Sequence, residues 1–251
     1  MKVLALLVLL IVSFQPQSAE AKDKFSFRAK LKQFGYVTDS YGGEYSSLSF
    51  LSDNLLLVTI NQGVSHGVDP LVTDEPPSTL IVFDLTTKQA VRRASMVVRK
   101  SARSVAPLVS GDFLVLSMSD VKMCSPDLHC ERSFPTKAVA TLDSDSLKLL
   151  EQLGRTDLPM LRVDDASTDG VRKVTTELSS TIWNRIMHPI SIDEPSPDDF
   201  RRISVYDSRD GKTVLSLHYN PKNHLVGPAL SPNGSKLAIV RDGALEVYDL
   251  P

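Results

Sequence analysis

Four segments of this 251-residue chain end an apolar strand on an aspartate: TLIVFD (79–84), AVATLD (138–143), RISVYD (202–207) and ALEVYD (244–249). A hairpin precedes each of them, in SFLSDNLLLVTI, PLVSGDFLVLSM, DDASTDGVRKVTT and ALSPNGSKLAIV. The hairpin turns SDN, SGD, TDG and PNG carry the residues that tight turns require. After each of the first three aspartates come LTTK, SDSL or SRDGK, again turn-forming, and then another strand. A repeat of this kind constrains the fold more than any single motif. It predicts units of four strands, a to d, each a meander with short a–b and c–d turns.

The last unit supplies strands a, b and c and then the chain stops, leaving a strand edge that would pair with other chains. The other end of the sequence offers the missing piece. In KDKFSFRAKLKQFGYV, residues Phe25, Phe27, Ala29 and Leu31 alternate with polar residues at the period of a half-buried strand. This segment is expected to become strand d of the last unit and so tie both chain ends into one sheet.

Ser231-Pro232-Asn233-Gly234 with Leu237, followed by Val247-Tyr248-Asp249, resembles the phrasing of bacterial secreted WD-repeat-like and YVTN-type β-propellers. The resemblance covers residues 46–251, strongly in the first and last units and weakly in 154–200. No Trp-Asp or Gly-His dipeptide accompanies it. It implies an all-β fold of four-stranded antiparallel blades, and a family that hosts many functions. The strand-c aspartates are 59, 64 and 42 residues apart, which leaves room for four blades. A fifth is the alternative, because GVRKVTTELSSTIW in the third unit has strand formers without a clean hairpin.

The first residues, MKVLALLVLLIVSFQPQSAEA, read as a secretory signal peptide over 1–21: one lysine, a largely apolar run from Val3 to Phe14, then Ala19-Glu20-Ala21. That run would make a helix of roughly 18 Å, short of a hydrocarbon core of about 30 Å. The expectation is a single domain over 22–251, exported to a periplasm or beyond the cell, with no membrane span after cleavage. Cys124 and Cys130, in CSPDLHC, are read as a disulfide suited to that compartment. The alternative, a metal site with His129, lacks a second ligand pair at zinc spacing. A net charge of -2 from 28 basic and 30 acidic residues gives no electrostatic case for nucleic acid.

Three b–c connections are long: 61–78, 119–137 and roughly 184–201, against only Arg241-Asp242-Gly243 in the last unit. In a four-stranded meander they would emerge at one end, where a scaffold commonly displays binding residues. They hold ten acidic side chains (Asp69, Asp74, Glu75, Asp120, Asp127, Glu131, Asp193, Glu194, Asp198, Asp199) against five basic ones (Lys122, Arg132, Lys137, Arg185, Arg201). This suggests a face for a cationic partner or divalent ion, or simply polar solvated loops. The candidate binding residues are His66, Asp69, Asp74, His129, Trp183, Arg185, His188 and Asp193. His66, His129 and His188 fall in or near these loops and could meet over that face, although no H-x-H or H-E-x-x-H spacing supports a metal. Trp183 is either a contact residue or packing between blades.

No catalytic residue and no cofactor is predicted. Calcium is the one ion with any motif: Asp165-x-Ser167-x-Asp169-Gly170 imitates the start of a calcium loop, yet Thr176 stands where the bidentate glutamate belongs and Glu177 misses by one. Asn233-Gly234-Ser235 is a formal glycosylation sequon within a hairpin turn. Two functions from different classes follow. One is a non-catalytic exported propeller whose loop face binds a protein, peptide or glycan. The other is a lactonase- or hydrolase-type propeller enzyme with acids and histidines near the central channel. The inner strands SSLSFL, SVAPLV and GPALS are mostly small and apolar, interrupted only by Asp164 and Asp165, which favours the first.

Overall fold

The computed structural model describes residues 25–36, 46–61, 77–99, 104–117, 120–135, 164–179, 200–219 and 225–251. Among them the secondary structure is strand throughout, apart from one 3-10 turn. Strand β1 (Phe27–Lys30) runs into that turn, Leu31–Phe34. The first sheet follows with β2 (Ser47–Phe50), β3 (Leu55–Ile60), β4 (Ser78–Asp84) and β5 (Gln89–Met96), paired in chain order. The second sheet is β6 (Val105–Pro107), β7 (Phe113–Leu116), β8 (Asp120–Cys124) and β9 (Cys130–Pro135). The third is β10 (Arg172–Ser179), β11 (Phe200–Asp207) and β12 (Thr213–Tyr219). The fourth holds β13 (Leu225–Leu230), β14 (Lys236–Arg241) and β15 (Ala244–Asp249), with β1 as its outermost strand.

The N-terminal strand therefore sits where the alternation of Phe27 and Ala29 puts it. β1 pairs antiparallel with β15, Phe27 opposite Val247 and Ala29 opposite Leu245. The Leu31 N–H donates to the Gly243 carbonyl at 2.8 Å, carrying the pairing past the end of the strand. Phe27 and Leu31 are buried there, and the Phe27 and Phe34 rings both pack on Phe83 of the first sheet.

Burial grades across each sheet. β3, β4 and β15 are covered on both faces, which is why LLLVTI, STLIVFD and ALEVYD read as near-continuous apolar runs rather than alternating ones. β5 lies outermost and is mostly exposed. The sheets stack face against face. Phe50, Leu56, Ile81 and Phe83 of the first meet Val226, Val240, Leu245 and Val247 of the fourth. Leu237, Ile239 and Tyr248 of the fourth meet Val174, Ile203, Val205 and Leu217 of the third. Leu57, Leu80 and Val82 of the first meet Phe113, Val115 and Cys124 of the second. Each fully buried Leu or Phe in these layers stabilises by about 1.5–3 kcal/mol. The packing order is third, fourth, first, second, and the leading strands β10, β13, β2 and β6 touch in that same series.

The repeat's polar residues build its turns. Asp84 accepts from the Thr86 N–H at 2.8 Å and from the Thr87 N–H at 3.3 Å. Asp207 does the same for the Arg209 N–H at 3.0 Å. The strand-ending aspartate is thus a cap for the c–d turn. The a–b turns of the third and fourth sheets share one hydrogen-bond pattern. Ser167 and Ser231 donate to Asp169 and Asn233, and each serine oxygen accepts from a backbone N–H five residues on, that of Arg172 or Lys236, at 2.9 Å. Gly170 and Gly234 close both at φ +70.

Two expectations are corrected. Residues 119–137 do not form a b–c loop: 120–124 and 130–135 are the third and fourth strands of the second sheet. β8 pairs with β7 and buries Cys124 in the layer shared with the first sheet and Val121 on the opposite face, and it takes the place assigned to AVATLD (138–143), which lies outside the described residues. Among the described residues, the expected first strand of the third unit pairs through a single bridge, Ala166 to Lys173, and that sheet has three strands. The run DDAS before its turn lacks the apolar residues that a longer strand would bury.

Candidate functional site

Antiparallel pairing sorts the connections into two ends. At one end lie the a–b and c–d turns, and the a–b turns are bonded from sheet to sheet. The Thr168 N–H donates to the Pro232 carbonyl at 2.7 Å, and the Asn233 N–H to Asp53 Oδ1 at 2.9 Å. Arg172 reaches across to the Gly234 carbonyl at 3.1 Å. Gly111 of the second sheet approaches Leu51 so closely that a Cβ there would lie 3.4 Å from the Leu51 carbonyl oxygen. This end is a consolidated row of short turns running from the third sheet through the fourth and first to the second.

The b–c connections leave from the opposite end. β14 and β15 are joined tightly through Asp242 (φ 49) and Gly243 (φ 74). The chain leaves β3 at Ile60 and enters β4 at Ser78; it leaves β10 at Ser179 and enters β11 at Phe200. At the mouth of the first gap Ser78 donates to the Asn61 side chain. At the short turn of the second sheet, Asp120 accepts from both Ser117 and Ser133. Burial of Asp120 opposes ionisation, and those two hydroxyls together with the Lys122 charge outweigh it, so the carboxyl titrates below its ordinary value.

Of the predicted binding residues, His66, Asp69, Asp74, Trp183, Arg185, His188 and Asp193 lie outside the described residues. His129 is exposed beside the c–d turn of the second sheet, at the turn end of the molecule. The strand direction of β8 and β9 thus sets it apart from the end that carries the b–c gaps, and the expected meeting with His66 and His188 falls on residues outside the described ones. Asp127 of the same turn pairs with Arg92 of β5 at 3.0 Å. Cys124 and Cys130 do form a disulfide, which closes the β8–β9 hairpin. Among the described residues no helix is long and apolar enough to cross a membrane.

Asp164 is the acid at the inner strands. Its Oδ2 accepts from Ser49 Oγ of β2 at 2.9 Å, and its carbonyl accepts from the Leu230 N–H of β13 at 2.7 Å. Asp165, next to it, is exposed. The calcium-like run proves to be a hairpin turn: Asp169 Oδ1 accepts from Ser167 and from the Val171 N–H at 2.9 Å, bonds that lower its pKa. Among the described residues no group of three His, Cys, Asp or Glu side chains stands where it would hold one metal ion.

The best-buried acid among the described residues was not singled out from sequence. Glu246, on β15, is 0% exposed. Its Oε1 accepts from Arg241 Nη2 at 2.9 Å and lies 3.5 Å from Arg28 Nε of β1; its Oε2 accepts from the Tyr248 hydroxyl at 2.9 Å. Burial works against the Arg241 charge, but the Glu246 carboxylate outweighs it and holds the guanidinium pKa above its ordinary value. The signal in the sequence was a glutamate inside ALEVYD, where both faces of the strand are apolar.

A groove of about 570 Å³ opens between β1 and the β4–β5 hairpin, lined by Phe27, Arg28, Lys30, Phe34, Phe83 and Lys88 among others. No family model matches the chain, and no curated protein matches it. Among solved structures it is similar to an acylaminoacyl peptidase from Pyrococcus horikoshii, at 10% identity and a TM-score of 0.27, over 84% of this chain and 29% of the peptidase. It is also similar to hydrazine synthase from Kuenenia stuttgartiensis, at 12% identity and a TM-score of 0.28, over 81% of this chain and 75% of that one. The chain thus spans under a third of the peptidase, and likenesses with TM-scores this low carry no argument about activity.

Proposed function

We propose that this chain is an exported, non-catalytic β-propeller that acts as a binding scaffold, with its recognition surface at the end where second strands connect to third strands. The propeller reading rests on the packing order of the four sheets, the series of touching leading strands and the sheet shared by both chain ends. Export rests on the leader-like first residues together with the Cys124–Cys130 bridge. The observation that carries the binding reading is the contrast between the ends. One is a row of short turns bonded from the third sheet to the fourth and from the fourth to the first, and the other spans 60 to 78 and 179 to 200 between strands. Long connections on a rigid framework are where binding residues concentrate. The acids described within the strands and turns have structural employment instead: Asp84 and Asp207 cap turns, Asp169 shapes one, and Glu246 binds two arginines.

The test replaces residues 62–76, and separately 181–199, with a two-residue Asp-Gly turn, and cross-links each protein to its neighbours in the compartment where it is expressed. Melting temperatures within a few degrees of the parent, with loss of cross-linked partners in either variant, are expected. Unchanged partners in both variants would assign recognition elsewhere and overturn the proposal.

A further inference from the structure

Two stretches of the sequence hold cations and no acid. Residues 24–38 contain Lys24, Arg28, Lys30 and Lys32; residues 85–111 contain Lys88, Arg92, Arg93, Arg99, Lys100 and Arg103. In a chain with a net charge of -2, these stretches carry ten of the 28 basic residues and none of the 30 acidic ones. The fold sets them side by side: β1 comes from the first and β5 from the second, and the groove of about 570 Å³ lies between them.

Three features of that groove point to one kind of occupant. Every charged residue in its lining is basic, namely Arg28, Lys30 and Lys88, and Arg93 stands 6.0 Å from the centre of the Phe34 ring at its margin. Its lining includes Phe27, Phe34 and Phe83, the first and last largely buried, so apolar contact is available beside the charges. Along one wall runs β1, which pairs with β15 on one side and with no described strand on the other. Because Leu31 bonds to Gly243 across the ladder, the antiparallel alternation turns the peptide groups of Arg28 and Lys30 outward. An open strand edge accepts an extended peptide through main-chain hydrogen bonds, and neighbouring side chains select its sequence.

We propose that the groove between β1 and β5 binds an extended acidic segment of another polypeptide, which adds to the fourth sheet as a strand beside β1 and places its carboxylates against Lys88, Lys30 and Arg93. The site is independent of the loop end, so it stands or falls apart from the recognition surface proposed above. Nucleic acid or another polyanion would satisfy the cations alone; the strand edge distinguishes a peptide from them.

The probe is a fluorescein-labelled peptide of alternating Glu and Val, followed by anisotropy with the full chain at low and moderate salt. Tenfold or greater weakening is expected on exchanging its Glu for Lys, and again on N-methylating alternate backbone amides, which leaves charge intact but blocks strand pairing. On the protein side, Lys88→Glu with Arg93→Glu alters two exposed side chains and should weaken binding by a similar factor without shifting the melt. Lys30→Pro separates backbone from charge. Residue 30 has φ -82, close to what proline adopts, and its N–H points outward, so the fold should tolerate it. It should bind the peptide several-fold more weakly than Lys30→Ala does. Equal binding of the N-methylated peptide, or full competition by a nucleic acid at equal charge, would overturn strand addition in favour of plain polyanion binding. Photo-cross-links from the peptide to wild-type protein should fall within 27–34 and 88–93, and cross-links confined to other segments would overturn the proposal even if a variant failed to fold.

Discussion

Glu246 is a single side chain on which stability depends through three partners. A carboxylate with no solvent access is tolerated only when its oxygens are fully engaged, and here Arg241, Arg28 and Tyr248 engage both. The three partners come from β14, β1 and β15, so one acid ties the N-terminal strand to the C-terminal hairpin. Glu246→Ala should lower the unfolding free energy by about 3–5 kcal/mol, since it leaves half-buried Arg241 without its carboxylate. Urea denaturation measures this, and a loss below about 1 kcal/mol would mean solvent reaches the site. Asp207 shows the opposite setting. Hydrogen bonds from the Arg209 guanidinium and N–H take its pKa down to about 2, yet its partner Arg209 is exposed, and its work is local to the turn.

The β8–β9 hairpin is the element that sequence patterning placed wrongly. Its polar, charged residues and two cysteines look like an insertion, because an outer strand exposes one face and carries no continuous apolar run. What secures it is the apolar layer beneath, where Cys124 is 1% exposed against Phe113 and Leu80, and the bridge that closes its turn. Cys124 and Cys130 enclose a short loop, for which the chain-entropy estimate is about 2 kcal/mol. Reduction should therefore lower the melting temperature by several degrees while leaving one cooperative transition. It should also release the amides of 120–135 to faster hydrogen exchange, with those of β3 and β4 unaffected. Loss of protection in β3 and β4 would show instead that the hairpin holds the first sheet together.

Pairing of residues 27–30 with 244–247 makes the outermost strand of the fourth sheet the first of the described strands. Such a closure joins contacts of extreme sequence separation, and the fourth sheet packs between the first and third. Deleting residues 22–34 should expose β15 as an open edge, remove buried Phe27 and Leu31 from the core, and give a protein that aggregates or melts without cooperativity. An unaltered cooperative melt of the deleted protein would show that closure contributes little.

Much of this was legible in the residues themselves. Apolar runs ending in aspartate, serine- and glycine-bearing turns and the alternation of Phe27 and Ala29 are local signals, because strand burial and turn geometry act over two to six residues. The four sheets, the c–d caps and the N-terminal closing strand follow from them. Partner choice among competing polar strands depends on layers built from distant parts of the chain, so β8 took the place in the second sheet that the pattern gave to 138–143, and His129 came to the turn end. The same holds for the groove. Its acid-free stretches are plain in the sequence, but their meeting depends on β1 crossing to β15 and packing Phe27 and Phe34 on Phe83, a contact made by burial and not by any local pattern.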